Sequence, residues 1–187
     1  ALSINSLTVN EGSPYAVFTV TANVGETLTL ALGNGTVNPT ATSGADYTNA
    51  LEYWNGSSWS AYSSSVTVPG SGTGSTSLLV RVAIQQDSTY EKAEDFRLTA
   101  SYTSGASRTA TGTATIVDDG TGTKYPGTVS GGAPDSNTSG LDDDRALSIN
   151  SLTVNEGSPY AVFTVTANVG ETLTLALGNG TVNPTAT

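Results

Sequence analysis

The sequence predicts an all-β chain, an antiparallel β-sandwich of the immunoglobulin-like kind with about seven to eight strands. Three observations carry the prediction. Apolar residues recur at every second position in several short runs, no run shows an apolar stripe at helical spacing, and Gly, Pro and Asn punctuate the gaps. Abundant Thr, Ser, Gly and Val also suit strands and turns better than helices.

In chain order, the first run is Tyr15 to Thr21, opened by Pro14, with Ala16, Phe18 and Val20 on one face and Tyr15, Val17 and Thr19 on the other. Glu26 to Leu32 sends Leu28, Leu30 and Leu32 inward and stops at Gly33, Asn34 and Gly35, residues that accept positive φ. Asn55 and Gly56, flanked by the aromatic residues of Leu51 to Trp59, signal a hairpin. Ser65 to Val68 reads as a shorter strand ended by Pro69. Ser77 to Ile84 points Leu78, Val80, Val82 and Ile84 to one face, and Asp95 to Tyr102 does the same with Phe96, Leu98, Ala100 and Tyr102. From Arg108 to Val117, Ala110, Gly112, Ala114 and Ile116 alternate with threonines.

Residues 1–42 recur without a single change as 146–187, so that Glu11 and Gly12 reappear as Glu156 and Gly157. Such a match marks a tandem array of units joined end to end. The organisation expected is a β-sandwich repeat over 1–119, a Gly/Ser/Asp-rich linker with an acidic end over 120–145, and the start of the next identical repeat over 146–187. The chain is expected to be part of something longer. Residues 146–187 carry an apolar face without the partners that complete it, so they compete with 1–42 for a place against 43–119. The competition is expected to be won within one molecule, as a permuted domain, or between molecules, as swapped or end-to-end self-association.

Composition narrows function by exclusion. The 187 residues contain no Cys and no His, which removes disulfide frameworks, thiolate zinc sites, thiol nucleophiles and the Ser-His-Asp arrangement. Six basic residues against sixteen acidic ones give a net charge of −10, a field that repels nucleic acid and anionic lipid and attracts cations. No apolar stretch approaches the roughly 18 residues that span a bilayer, and the start has no signal-peptide pattern. Neither a nucleic-acid partner nor membrane insertion is expected. Two neighbouring carboxylates can serve a glycosidase, but nothing else marks a substrate cleft, so no enzyme is expected.

The most informative stretch is the acidic loop between two strand runs, Asp87, Glu91, Glu94 and Asp95, together with Asp118 and Asp119 at the end of the next run. Carboxylates gathered this closely repel one another unless a cation lies between them, and Lys92 is the base within the loop. They are either a solvated loop or calcium ligands at one end of the sandwich. Asp142, Asp143 and Asp144, just before the second copy, are expected to form an interdomain calcium site, because a flexible tether has no use for three adjacent carboxylates. Trp54, Trp59, Tyr53 and Tyr62 read as packing on a hairpin face or as a sugar-stacking surface. Arg81, within an apolar strand, is expected to be paired or facing solvent.

Val9 to Gly12, Ser43 to Tyr47, Asp87 to Glu94 and Gly112 to Asp119 resemble the successive motifs of a Calx-beta domain, over about Leu7 to Asp119. The Trp-containing hairpin, Leu79 to Arg81 and Asp118 to Gly122 are similar to tandem extender repeats of giant secreted bacterial adhesins of the RTX type. The resemblance implies a sandwich with calcium held by its end loops, with Glu11, Asp46, Asp87, Glu91, Asp118 and Asp119 as candidate ligands and Glu94 next in line. Gln86 in place of an aspartate, and Lys92 in place of a small or acidic residue, lower the expected number or affinity of ions. It further implies a secreted, cell-surface structural repeat that contacts its neighbouring repeats and projects a distal binding domain. A carbohydrate-binding module using Trp54 and Trp59 is the alternative.

Overall fold

The computed structural model describes residues 1–36, 39–105, 107–126, 132–135 and 139–180; parts of the expected linker and the last residues of the second copy lie outside these. Among the described residues there are twelve strands and no helix, and hence no helix long and apolar enough to cross a membrane. The chain divides into two units, Ala1–Asp144 and Arg145–Thr187.

The first unit is a sandwich of two five-stranded sheets. One has the order β1 (Leu2–Ile4), β3 (Tyr15–Asn23), β8 (Ser75–Ile84), β5 (Tyr47–Trp54), β6 (Trp59–Ala61). The other has the order β2 (Leu7–Asn10), β10 (Thr109–Val117), β9 (Glu94–Tyr102), β4 (Thr27–Asn34), β7 (Val66–Thr67). Period-two alternation decides which residues meet between the sheets: Phe18, Val20, Leu28, Leu78, Val80, Val82, Phe96 and Leu98 are all at or near zero exposure. Each such side chain contributes roughly 1.5–3 kcal/mol by leaving water. Phe96 fixes the centre, meeting Phe18 edge-on at 6.0 Å and stacking on Tyr47 at 4.3 Å.

Two corrections to the sequence reading follow. The sandwich is not wholly antiparallel, because β2 runs parallel to β10 from Leu7 opposite Ala114 to Asn10 opposite Val117. β1 and β2, of three and four residues, are too short to show an alternation. They form one edge each because the chain turns the corner between the sheets at Asn5, whose carbonyl lies where a Cβ on Gly112 would be, 2.2 Å away.

The second correction concerns residues 120–145, expected to be linker. Their described residues up to Asp144 belong to the first unit. Thr123 bridges to Val9 and Tyr125 to Tyr15, Asp135 bridges back to Lys124, and Asp143 bridges to Asp119. Gly132, in the left-handed region at φ 64°, sits so close to Val17, Leu79 and Trp59 that a Cβ would be 2.8 Å from Val17. In this return segment Gly132 thus lies over the outer face of the first sheet beside Val17, which is buried although alternation places it outward. Arg81, also outward-pointing and buried, bonds Glu52 at 2.6 Å and lies between the rings of Tyr15 and Trp59, at 3.8 and 4.4 Å.

In the second unit β11 (Leu147–Ile149) pairs with β12 (Val165–Ala167), in the register that β1 and β3 use. The counterparts of β2 and β4 form no strand. Within the first unit the place against 43–119 is held by 1–42, so the permuted arrangement is not adopted.

Candidate metal centre

Strand polarity gathers the acidic residues. β2 and β10 run parallel and end together, β9 begins where β10 ends, and Tyr47 at the start of β5 pairs with Ile84 at the end of β8. The loops at that pole carry Glu11 after β2, Asp46 before β5, Asp87 and Glu91 between β8 and β9, Glu94 opening β9, and Asp118 after β10. The return segment brings Asp142 and Asp144 to the same place, where the Asp144 amide donates to the Asp118 carbonyl at 3.1 Å and the Gly120 amide to the Asp142 carbonyl at 2.7 Å.

The result is three groups of carboxylate oxygens, each within 4.8 Å: Glu11, Asp87 and Glu91; Glu11, Asp142 and Asp144; and Asp46, Glu91 and Glu94. Glu11 belongs to two groups and Glu91 to two, so the three are consecutive and share ligands. Several acidic clusters at this pole can therefore hold a metal ion. The oxygens themselves are the fit test. Asp118 Oδ1, Asp142 Oδ2 and Asp144 Oδ2 are shielded from water without a hydrogen-bond donor, an unfavourable arrangement unless a cation or proton satisfies it.

The electrostatics point the same way. Burial pushes the Glu11 carboxyl up to about 8, against one lowering hydrogen bond from the Asp87 amide, and the charges of Asp142, Asp118 and Asp87 add to the rise. Glu94 rises to about 7 through burial, then through its hydrogen bond to and charge repulsion from Asp46. Glu91 and Asp118 are also raised, in both cases first by burial. Carboxyls that resist ionisation together are what an acidic cluster lacking positive charge must contain.

Eight of the ten sequence-derived ligands thus converge: Glu11, Asp46, Asp87, Glu91, Glu94, Asp118, Asp142 and Asp144. Asp119 and Asp143 stand outside the three groups. They face each other across a backbone bridge, and Asp119 Oδ1 accepts the Thr121 amide at 3.0 Å, capping its own turn. Asp95, one residue beyond Glu94, is fully buried beneath Gly35, while Arg97 donates to the Asn34 carbonyl at 2.7 Å. Gln86 Nε2 donates to Asp142 Oδ1 at 2.8 Å, so Gln86 serves the pole as a donor.

Sequence reasoning missed Asn10. Fully buried, it donates to the carbonyls of Thr121 at 2.8 Å, Asp142 at 3.1 Å and Val117 at 3.3 Å, and accepts the amides of Asp142 at 2.7 Å and Gly12 at 3.0 Å. It ties the return segment to the end of β10 and thereby places Asp142. Its signal in the sequence is an amide directly before the candidate ligand Glu11, which is too common to single out. At the hairpin, Trp59 offers a ring face to Arg81 and meets Trp54 edge-on at 5.6 Å, a packing role. No protein-family model matches the chain, and no curated protein matches it.

Proposed function

We propose that the chain is a non-catalytic structural repeat of a secreted bacterial adhesin. Calcium at the acidic pole fixes the loops and the return segment, so that consecutive units make a stiff extension carrying a distal binding domain from the cell surface. The observation that carries this reading is the succession of three carboxylate groups joined through Glu11 and Glu91, beside buried Asp118, Asp142 and Asp144 oxygens that no donor satisfies. Calcium takes six to eight oxygens, and the side chains here offer oxygen alone, without His or Cys. When bound, calcium supplies the positive charge that lets these carboxylates ionise side by side.

The mechanical role comes from where the ligands lie. Asp144 directly precedes Arg145, with which the second unit begins, so a cation held by Asp142 and Asp144 also holds the end of the outgoing segment. Asn10 sets the backbone there, and Glu11 and Glu91 link the group to the loops behind it. Melting curves in chelator and in millimolar calcium test the reading. With calcium at about a hundred times Kd, each site raises Tm by about 5–10 °C. Glu11→Gln removes most of the gain, since Glu11 serves two groups. An unchanged Tm, or an equal gain in Glu11→Gln, overturns the reading.

A further inference from the structure

Asn followed by Gly occurs twice in residues 1–144, at Asn34 and at Asn55. In such a pair the side-chain amide is open to attack by its own backbone, because a following residue without Cβ leaves the next nitrogen unshielded. The structure gives the two pairs opposite surroundings. Asn34 ends β4 opposite Phe96, and its carbonyl accepts Arg97 Nε at 2.7 Å. Gly35 packs so tightly that a Cβ there would lie 1.4 Å from Asp95 Oδ1. Extended backbone turns the next amide nitrogen away from the side chain, and Gly35 has no room to bring it back.

Asn55 stands at the exposed tip of the hairpin between β5 and β6, which the pairing of Trp54 with Trp59 closes. Its Oδ1 accepts the Ser57 amide at 3.0 Å, the Ser57 hydroxyl at 3.0 Å and the Ser58 amide at 2.9 Å. Its Nδ2 donates to Ser60 Oγ at 2.8 Å and to Ser58 Oγ at 3.2 Å. Gly56, at φ 99°, is in open space, with nothing within 4 Å of where a Cβ would stand. Donors gathered on a carbonyl oxygen stabilise negative charge that develops there. Hydroxyls beside the amine can rotate and return a proton to it as it leaves.

We infer that Asn55 is a self-modification site, at which the folded hairpin closes the side-chain amide on the Gly56 nitrogen and so converts Asn55 to aspartate or isoaspartate. The Gly56 nitrogen gives up its proton to water and bonds to Asn55 Cγ, and the displaced electron pair collects on Oδ1 beneath the Ser57 and Ser58 donors. The Cγ–Nδ2 bond then breaks, and ammonia leaves with a proton returned through Ser58, Ser60 or water. A water molecule opens the resulting cyclic imide at one of its two carbonyls. Opening at the backbone carbonyl routes the chain through Cγ as isoaspartate, and opening at Cγ gives aspartate. The reactants are the hairpin and water, and no oxidant, reductant or cofactor is consumed. The product carries a negative charge at the tip and lacks the amine that bonds Ser58 and Ser60, so the hairpin changes with the age of the chain. The inference is independent of metal at the acidic pole.

Full chain is held folded at pH 8 for weeks beside a parallel sample in concentrated urea. Cleavage before aspartate separates Asn34, in the piece ending at Ala45, from Asn55, in the piece beginning at Asp46. Mass spectrometry and labelling by an isoaspartyl methyltransferase read the conversion of each. In the folded chain Asn55 is expected to convert about tenfold faster than Asn34, whose reaction waits for the end of β4 to open, and in urea the two rates are expected to meet. Ser57→Ala, at the exposed tip, is expected to slow Asn55 in the folded chain about threefold, less than a buried donor is worth because water takes the place of the hydroxyl. In urea the same substitution is expected to change nothing. Equal conversion of Asn34 and Asn55 in the folded chain, or faster conversion of Asn34, overturns the inference. So does a folded Ser57→Ala chain in which Asn55 converts as fast as before, since exposure alone would then account for the reaction.

Discussion

Asn10 and Asn155 are the same residue in the same local sequence, and their difference isolates what a side chain gains from tertiary context. Asn155 keeps the local bond, accepting the Gly157 amide at 2.8 Å as Asn10 accepts that of Gly12 at 3.0 Å. Asn10 adds the carbonyls of Val117, Thr121 and Asp142 and the Asp142 amide, all without exposure to water. Removing it leaves buried carbonyls and amides unpaired, each costing on the order of 1–3 kcal/mol. Asn10→Ala is therefore expected to destabilise the first unit by about 3 kcal/mol in denaturant titration, and Asn155→Ala to change it by less than about 0.5 kcal/mol. Equal effects of the two substitutions would show that the local turn, rather than the clamp on the return segment, is what Asn10 provides.

At the level of strands, the repeat separates local instruction from tertiary instruction. Both copies make the Asn5-type bond to the strand opposite, Thr19 to Asn5 and Thr164 to Asn150, each at 2.7 Å, and both pair their first and third strands in one register. Only the copy beside β9 and β10 forms β2 and β4. Close approach matters as much as pattern. Gly112 leaves room for the Asn5 carbonyl at the corner between the sheets, and Thr113 donates to Ser6 there at 3.1 Å. Gly112→Val is expected to cost about 3 kcal/mol by thermal unfolding, because backbone rather than a flexible side chain must move. A cost below about 1 kcal/mol would mean that the corner is looser than its geometry. The same comparison explains what was legible beforehand. Long strands such as β3 and β8 announce themselves by alternation, and the pole follows because strand ends of one polarity must meet. β1, β2 and the return segment carry no periodicity: they are held by short pairings and close approaches, such as Gly122 fitting against the Asn10 amide, where a Cβ would stand 2.7 Å away. Asp142 and Asp144 were therefore readable as candidate ligands but not as members of the first unit, and Val17 is buried beside Gly132, in a segment that sequence assigns to solvent.

For the whole molecule, the concentration of acid at one pole makes stability depend on pH with a sign opposite to that of an ion-paired protein. Glu11 and Glu94 rise from 4.5 to about 8 and about 7, and Glu91 and Asp118 rise too. Because the folded state holds these protons more tightly than the unfolded chain, their contribution is fully present below about pH 4.5. It is lost progressively as pH climbs through the folded values. In chelator, Tm is expected to be higher at pH 5 than at pH 8, with the fall concentrated between those limits. Calcium acts on the deprotonated groups, so millimolar calcium is expected to lift the pH 8 value most and to release protons when added at pH 7. Calorimetry from pH 5 to 9, with and without chelator, reads both effects. A Tm in chelator that climbs from pH 5 to pH 8 would mean that the carboxylates are already neutralised by the protein's own bases. The pole would then be a salt-bridge network, with no need of a metal.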